Sequence, residues 1–366
     1  MNNIQPTKRI EYIDAMRGFT MILVVTAHVS AFALGFSEDP FHLNSVSLFC
    51  ATFRMPLFFF ISGFILYKAG KVWDMHNSME FIRKKFMVQI IPAVIFFFSF
   101  LYLFSWGYKH FIYDAAKAGY WFTLILFYYF LAFIIMKAIQ RGYTAVCVKC
   151  NIGNAVIKYG NAIIELFIIA FVLFLSIASK SGLINAGTGA LLSLPYLKYF
   201  IFFMFGYHSR QYFTTVTKLI DNSYFTAFVC VAFLAFSLVC LKSGIAATNL
   251  YYKAVFGFIA GALGICCVFS FFYRYRESFT SEKKLGRTLQ YIGRRTLDIY
   301  LLHYFFIPRN LHSLLPISDY PENFTFNFFV VLLVSAIVIS FSLITSNFLR
   351  ISPFLAKLLF GVKPKQ

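Results

Sequence analysis

Three ionisable side chains, Asp14, Arg17 and His28, fall inside the first apolar run of the chain. An ionisable group at the centre of a membrane helix costs about 2.5–3.5 kcal/mol on insertion scales, so it is read first as functional. At about 100° per residue, Arg17 and His28 differ by roughly 20° around a helix axis and roughly 16 Å along it. Asp14 lies roughly 40° from His28 on the other side, so the three share one face. Asp14 and Arg17 are expected near the cytoplasmic surface and His28 past mid-membrane. Histidine titrates near neutrality and suits the taking and returning of a proton. Arginine offers a planar fork of donors to an anion. A lone histidine would read as a packing group, and a lone arginine as one that snorkels to the headgroups. Three on one face point to a site.

Other polar residues stand in or beside apolar runs. Arg54 lies about seven residues into the second run from its outer end, roughly 10 Å deep, at a depth similar to that of His28. It is a candidate to stabilise an oxyanion, or a fixed charge lining a polar substrate cavity. Tyr300 and His303, three apart on one face near the cytoplasmic end of the ninth run, read as substrate-binding groups or as interfacial anchors. Tyr120 and Trp121 are expected in an aromatic belt, and Glu165 and Asp298 as solvated groups at cytoplasmic helix ends. Cys147 and Cys150 form one C-x-x-C in a basic loop. A second pair of ligands is missing, so no metal is expected.

The elements that must hold these residues are membrane helices. The 366 residues are 60% hydrophobic, 21% aromatic and 13% charged, whereas a soluble domain is about a quarter charged. The net charge of +19 falls in short blocks between apolar runs, as the positive-inside rule requires, and nucleic-acid binding is not expected. Runs able to supply the ~20 apolar residues of a crossing are 15–36, 47–67, 86–106, 120–139, 161–179, 193–208, 224–242, 251–273, 296–315 and 325–348. The sixth is short and contains Pro195. With the N-terminus inside, 24 Lys and Arg fall on the cytoplasmic side and about 7 outside, Arg17 and Arg54 lying within the runs. That bias fits an all-α bundle of about ten transmembrane helices with both termini cytoplasmic, a single domain over 1–366 without a separate soluble domain. A rival reading takes Lys8, Arg9, the apolar stretch and Ala31-Phe32-Ala33 as a signal peptide, which has no use for Asp14, Arg17 and His28.

The stretch YIDAMRGFTMILVVTAHV resembles the first helix of the acyltransferase-3 family, with Arg17 and His28 matching its R-x10-H motif. FRMPLFFFISGF (53–64) is similar to the family's second helix, KYFIFFMFGYHSR (198–210) to its sixth, and YIGRRTLDIYLLH (291–303) to its ninth. One element departs from the pattern. At the start of the third helix the family carries RxxR, whereas this chain reads RKKFMVQIIP, with Arg83, Lys84 and Lys85 but Gln89 in place of a second Arg. Lys does not reproduce the bidentate grip of Arg on phosphate. Some members of the family append an extracytoplasmic hydrolase-like domain. None is expected here, so acceptance falls to the bundle.

The resemblance implies a membrane-bound O-acyltransferase of a bacterial inner membrane. Its donor would be acyl-CoA, most simply acetyl-CoA with succinyl as the other candidate. Its acceptor would be a hydroxyl of a cell-surface polysaccharide or lipid-linked glycan. His28 would deprotonate that hydroxyl, for direct attack or after a covalent acyl intermediate. Asp14, Arg17 and Arg54 complete the expected catalytic set, Arg83, Lys84 and Lys85 would hold the CoA phosphates, and Tyr300 and His303 would face the acceptor. Expected partners besides donor and acceptor are membrane lipids. The rival class is a transporter or flippase of a lipid-linked glycan, in which buried Arg and His bind without covalent chemistry. Such folds carry inverted repeats, and none is visible.

Overall fold

The computed structural model describes residues 9–34, 45–107, 109–243, 250–309, 311 and 324–361. All regular structure among them is helical. In order the helices are α1 (Glu11–Leu34), α2 (Ser45–Leu66), α3 (Met75–Lys85), α4 (Ile91–Leu103), α5 (Lys109–Tyr113), α6 (Trp121–Lys149), α7 (Asn154–Lys180) and α8 (Ala186–Leu191). They continue with α9 (Phe200–Gln211), α10 (Phe213–Asp221), α11 (Ser223–Ser243), α12 (Leu250–Arg274), α13 (Lys284–Arg294), α14 (Thr296–Phe306), α15 (Phe324–Leu349) and α16 (Pro353–Phe360).

Six helical stretches are long and apolar enough to cross a membrane: Glu11–Phe32, Met75–Leu103, Trp121–Lys149, Asn154–Lys180, Val255–Arg274 and Phe328–Leu349. The protein is a multi-pass membrane protein. The pair α10 and α11, bent by 82°, makes a seventh span if taken as one. Three expected crossings are shorter. The second has Thr52–Leu66 as its apolar part. The sixth is a 3-10 turn, Leu194–Tyr199, followed by the 12-residue α9. Pro195 opens that turn, where its missing N–H costs nothing. The ninth is the 11-residue α14, and the rest of that expected run, like the outer end of the first, lies largely outside the described residues.

The segment expected as a cytoplasmic loop around residues 75–85 is helix instead. α3 joins α4 through a π-helical turn, Phe86–Ile90, so Met75–Leu103 is one continuous stretch. Asp74 caps its start by accepting the Asn77 N–H at 2.7 Å. The π turn lies just before Pro92, which supplies no N–H to the ladder. Its Gln89 carries a buried side-chain oxygen with no hydrogen-bond partner among the described residues.

The chain divides into two compact units. One comprises Met1–Ser62 and His208–Ser346, the other Gly63–Tyr207 and Asn347–Gln366. In the first, α1 buries Met16, Met21, Val25 and Val29, and its Tyr12 meets Phe269 and Tyr273 of α12. α13 is short and basic, with Leu289 and Ile292 buried and Arg287 and Arg294 exposed, the pattern of an interfacial helix. In the second unit the core is aromatic: Tyr129, Phe133, Phe200 and Phe203 are fully buried. The Tyr129 hydroxyl donates to the Tyr196 carbonyl at 2.9 Å, which gives the buried phenol a partner. Tyr120 is part of this interior and Trp121 borders it. Tyr120 is buried, and half-buried Trp121 stacks on Tyr196 at 3.9 Å, so both pack within the unit.

Candidate active site

The expected face of α1 exists, and glycine is what lets α13 approach it. A Cβ built on Gly18 would lie 2.9 Å from the Leu289 carbonyl carbon and closer still to its oxygen. A Cβ on Gly293 would meet the Asp14 carbonyl in the same way. Each glycine therefore faces the other helix's backbone, the small-residue contact by which membrane helices pack at short range. α14 follows α13 after a single residue, Arg295, so the glycine contact sets where α14 lies against α1.

Two contacts join α1 to α14. At the near end, Nη2 of Arg17 donates to the Thr296 hydroxyl at 2.9 Å, and that hydroxyl donates to the Gly293 carbonyl at 3.3 Å. Asp14 lies 3.7 Å from the Arg17 guanidinium, one turn below it. Further along, Nδ1 of His28 lies 3.1 Å from Nε2 of His303. The other nitrogen of His28, Nε2, is 3.5 Å from the Tyr304 hydroxyl. The Tyr304 ring packs against both imidazoles, at 4.9 Å from His28 and 3.9 Å from His303, and Phe32 meets His28 edge-on. Of the two histidines, His303 is completely buried while His28 keeps an exposed portion.

Of the sequence candidates, Asp14, Arg17, His28 and His303 come together along one seam. Tyr300, buried on α14, lies one turn from His303 with ring centroids 6.4 Å apart. Arg54 on α2 is within electrostatic range of the His28 ring. The basic trio belongs to the second unit, and its three side chains do not all lie on one exposed surface. Arg83 and Lys84 are exposed, whereas Lys85 folds onto aromatic rings, its ammonium 4.5 Å from the Phe130 centroid and 5.4 Å from that of Phe81. Lys71, in the turn before α3, lies 3.7 Å from the Trp73 centroid, and burial, then the charge of Lys68, pushes its pKa down.

Three site residues escape a reading of the sequence. Thr296 and Tyr304 are ordinary helix residues whose importance appears only once α14 meets α1. The third is Asp298, expected in solvent and instead 2% exposed. Its Oδ2 accepts from Arg295 at 3.1 Å and from the Ser346 hydroxyl at 2.5 Å, and Arg295 also reaches Ser346 at 3.3 Å. The i,i+3 spacing of Arg295 and Asp298 is the signal that could have found it. Burial of a carboxylate is tolerable there because its charge is paired and hydrogen-bonded. Among the described residues no group of three or more His, Cys, Asp or Glu is placed to hold a metal ion.

A site of this kind offers a nitrogen base held by a second imidazole, an arginine fixed by a carboxylate and a hydroxyl, and a further cation, Arg54, nearby. Those are the parts of proton transfer to and from an attacking hydroxyl, with cations to meet developing negative charge. A family model described as an acyltransferase domain, the acyltransferase-3 family, matches residues 10–345, nearly the whole chain. No curated protein and no solved structure matches it.

Proposed function

We propose, from the premise that the chain belongs to the acyltransferase-3 family and is a membrane acyltransferase, that it acetylates a glycan at a bacterial inner membrane. The donor is acetyl-CoA. The acceptor is a hydroxyl of a cell-surface polysaccharide or of its lipid-linked precursor. The bundle has ten crossings with both termini in the cytoplasm, the two shorter helices α9 and α14 each forming part of one.

His28 is the general base. The acceptor oxygen attacks the thioester carbonyl carbon while its proton passes to Nε2 of His28. The tetrahedral intermediate then collapses, the C–S bond breaks, and the proton on His28 goes to the departing CoA thiolate. Products are the acetyl ester and CoA-SH. Arg54 meets the charge that develops on the carbonyl oxygen, a kind of contact worth about 10²–10³ in rate where one such donor is removed. Arg17, aligned by Asp14 and Thr296, binds the donor on the cytoplasmic side. Arg83 and Lys84 attract the CoA phosphates, with Lys85 in reserve behind them. Tyr300, buried one turn from His303, acts on the site by packing near that ring and does not touch the acceptor.

The observation that carries this reading is the setting of His28: partly exposed, with Nδ1 taken up by His303 and Nε2 turned to a hydroxyl. A ring recruited only for packing would be enclosed as His303 is, whereas His28 keeps exposed surface and its Nε2 makes only a long, 3.5 Å contact. The test is the purified protein given acetyl-CoA labelled in the acetyl group, with lipid-linked glycans as acceptors. Saturable binding and transfer of label into an alkali-labile ester support the proposal. No binding and no transfer to any acceptor would leave a lipid-linked-glycan transporter as the better description.

A further inference from the structure

Hydrogen-bond direction at the histidine pair follows from its fixed end. Nδ1 of His303 lies 2.9 Å from the Ile299 carbonyl oxygen, one turn back on α14. A carbonyl oxygen only accepts, so Nδ1 of His303 carries a proton. Nε2 of His303 then either bears a bare lone pair or makes the ring a cation. Among the described residues the partners of that ring are the Ile299 carbonyl, His28, Tyr304 and Tyr300, none of them a carboxylate. A completely buried cation without an anionic partner is expensive, so the resting ring is neutral and Nε2 is an acceptor. The 3.1 Å contact therefore has one direction. His28 donates from Nδ1, and its own Nε2 is left bare.

We infer that His303 is a positioning residue that fixes the tautomer of His28, holding the proton on Nδ1 so that Nε2 is the basic atom. The inference rests on the proposed role of His28 and extends it. Burial gives the two rings different roles. His303 is fully enclosed and can touch no substrate, while His28 keeps exposed surface. The expectation that His303 contacts the acceptor is thus replaced by action through His28. The chain of donors runs from His28 Nδ1–H to His303 Nε2, and from His303 Nδ1–H to the Ile299 carbonyl. When His28 takes the acceptor's proton on Nε2, its Nδ1–H still finds the same lone pair, and the positive charge is shared along that bond. A carboxylate does this work in hydrolase triads; here a neutral imidazole anchored to backbone does it. The Tyr304 hydroxyl lies 3.5 Å from Nε2, at the nitrogen that an acceptor hydroxyl would have to reach. At that length the contact is weak enough to be displaced.

Nitrogen NMR of the full-length protein with 15N-labelled histidine, in detergent or nanodiscs, reads the tautomer directly. The His28 signals are identified by their loss in His28→Gln. The expected wild-type pattern is a protonated Nδ1 and a bare Nε2 on His28. In His303→Phe the acceptor is gone, and His28 should revert to the Nε2–H form that free histidine favours. Turnover should then fall by about 10⁴, the effect of a wrong tautomer in a histidine held by a third group. In His303→Gln the amide oxygen lies the same number of bonds from Cα as Nε2 does, so the Nδ1–H form should persist and turnover stay within about tenfold of wild type. A merely structural His303 would change folded yield and leave the tautomer of His28 where it was. Finding Nε2–H on wild-type His28, or full turnover in His303→Phe, overturns the inference. The wild-type spectrum decides even if His303→Phe does not fold. Failure of the general-base role would appear separately, as an active His28→Gln enzyme.

Discussion

Replacing Gly18 by alanine should disable the site while adding one methyl group that touches no reacting atom. The added carbon would stand 2.9 Å from the Leu289 carbonyl carbon and 3.1 Å from the Gly293 nitrogen, where ordinary contacts are 3.4–4 Å. The carbonyl oxygen is nearer still, and backbone cannot turn aside as a flexible side chain would. To restore normal contact α1 and α13 must part by about 1 Å, because a packed interior has no void to absorb the methyl. Overpacking of this kind costs about 1–3 kcal/mol in stability, which leaves most of the protein folded. The larger effect falls on catalysis. α13 carries α14 with it, so the 2.9 Å bond from Arg17 to Thr296 and the 3.1 Å bond from His28 to His303 both lengthen. A misplacement of about 1 Å at a reacting centre costs about 10²-fold in rate. The assay is label transfer per milligram of monodisperse protein, with Gly257→Ala as control. That site on α12 has open space around its Cβ, and alanine there should leave turnover unchanged. Gly293→Ala, from the other side of the contact, should match Gly18→Ala. Wild-type turnover in Gly18→Ala would refute the claim that the glycine contact sets the site.

Other consequences can be checked with standard methods. Arg17→Ala should weaken acetyl-CoA binding about 10–100-fold by calorimetry, the scale of losing a hydrogen bond to a charged group, and Arg17→Lys should recover only part because a point charge replaces a planar fork. Asp298→Ala leaves Arg295 without its anionic partner and should lower stability by about 3–5 kcal/mol in thermal unfolding; an unchanged melting temperature would show that the buried pair does not hold α14 to α15. In a background without native cysteines, Asn77→Cys and Ser281→Cys should resist an impermeant thiol reagent in intact cells, both sites being exposed on the protein surface. Asn44→Cys and Asp319→Cys, which lie outside the described residues, should label, and labelling at 281 would overturn the proposed topology.

Much of this is visible in the sequence because helical periodicity fixes relations within one element. Asp14, Arg17 and His28 share a face for purely geometric reasons, and the long apolar runs of α6, α7 and α12 need no tertiary information. Relations between elements have no such signal. That His28 meets His303 depends on which helix packs beside α1, a choice made by Gly18 and Gly293, two residues with no side chain to draw notice. Asp298 reads as solvated because position near a helix end usually means solvent, whereas here α15 brings Ser346 over it. The stretch 75–85 reads as loop because it is rich in polar and charged residues, yet a cap at Asp74 and continuity with α4 keep it helical. Arg83, Lys84 and Lys85 look like one patch in a linear reading. Successive helix positions point about 100° apart, which sends Lys85 to the aromatic rings and the other two to the surface.

The rate of label transfer from acetyl-CoA by the purified His28→Gln protein tests the assignment of His28 more directly than any other measurement. Glutamine keeps a hydrogen-bonding side chain near His303 but cannot serve as a base at neutral pH. If His28 carries the proton, turnover should fall by at least about 10²-fold, toward the 10⁴ at the upper end for a positioned base, while acetyl-CoA binds as it does to wild type. Near-normal transfer by folded His28→Gln protein would contradict it, and the histidine would then be a packing group.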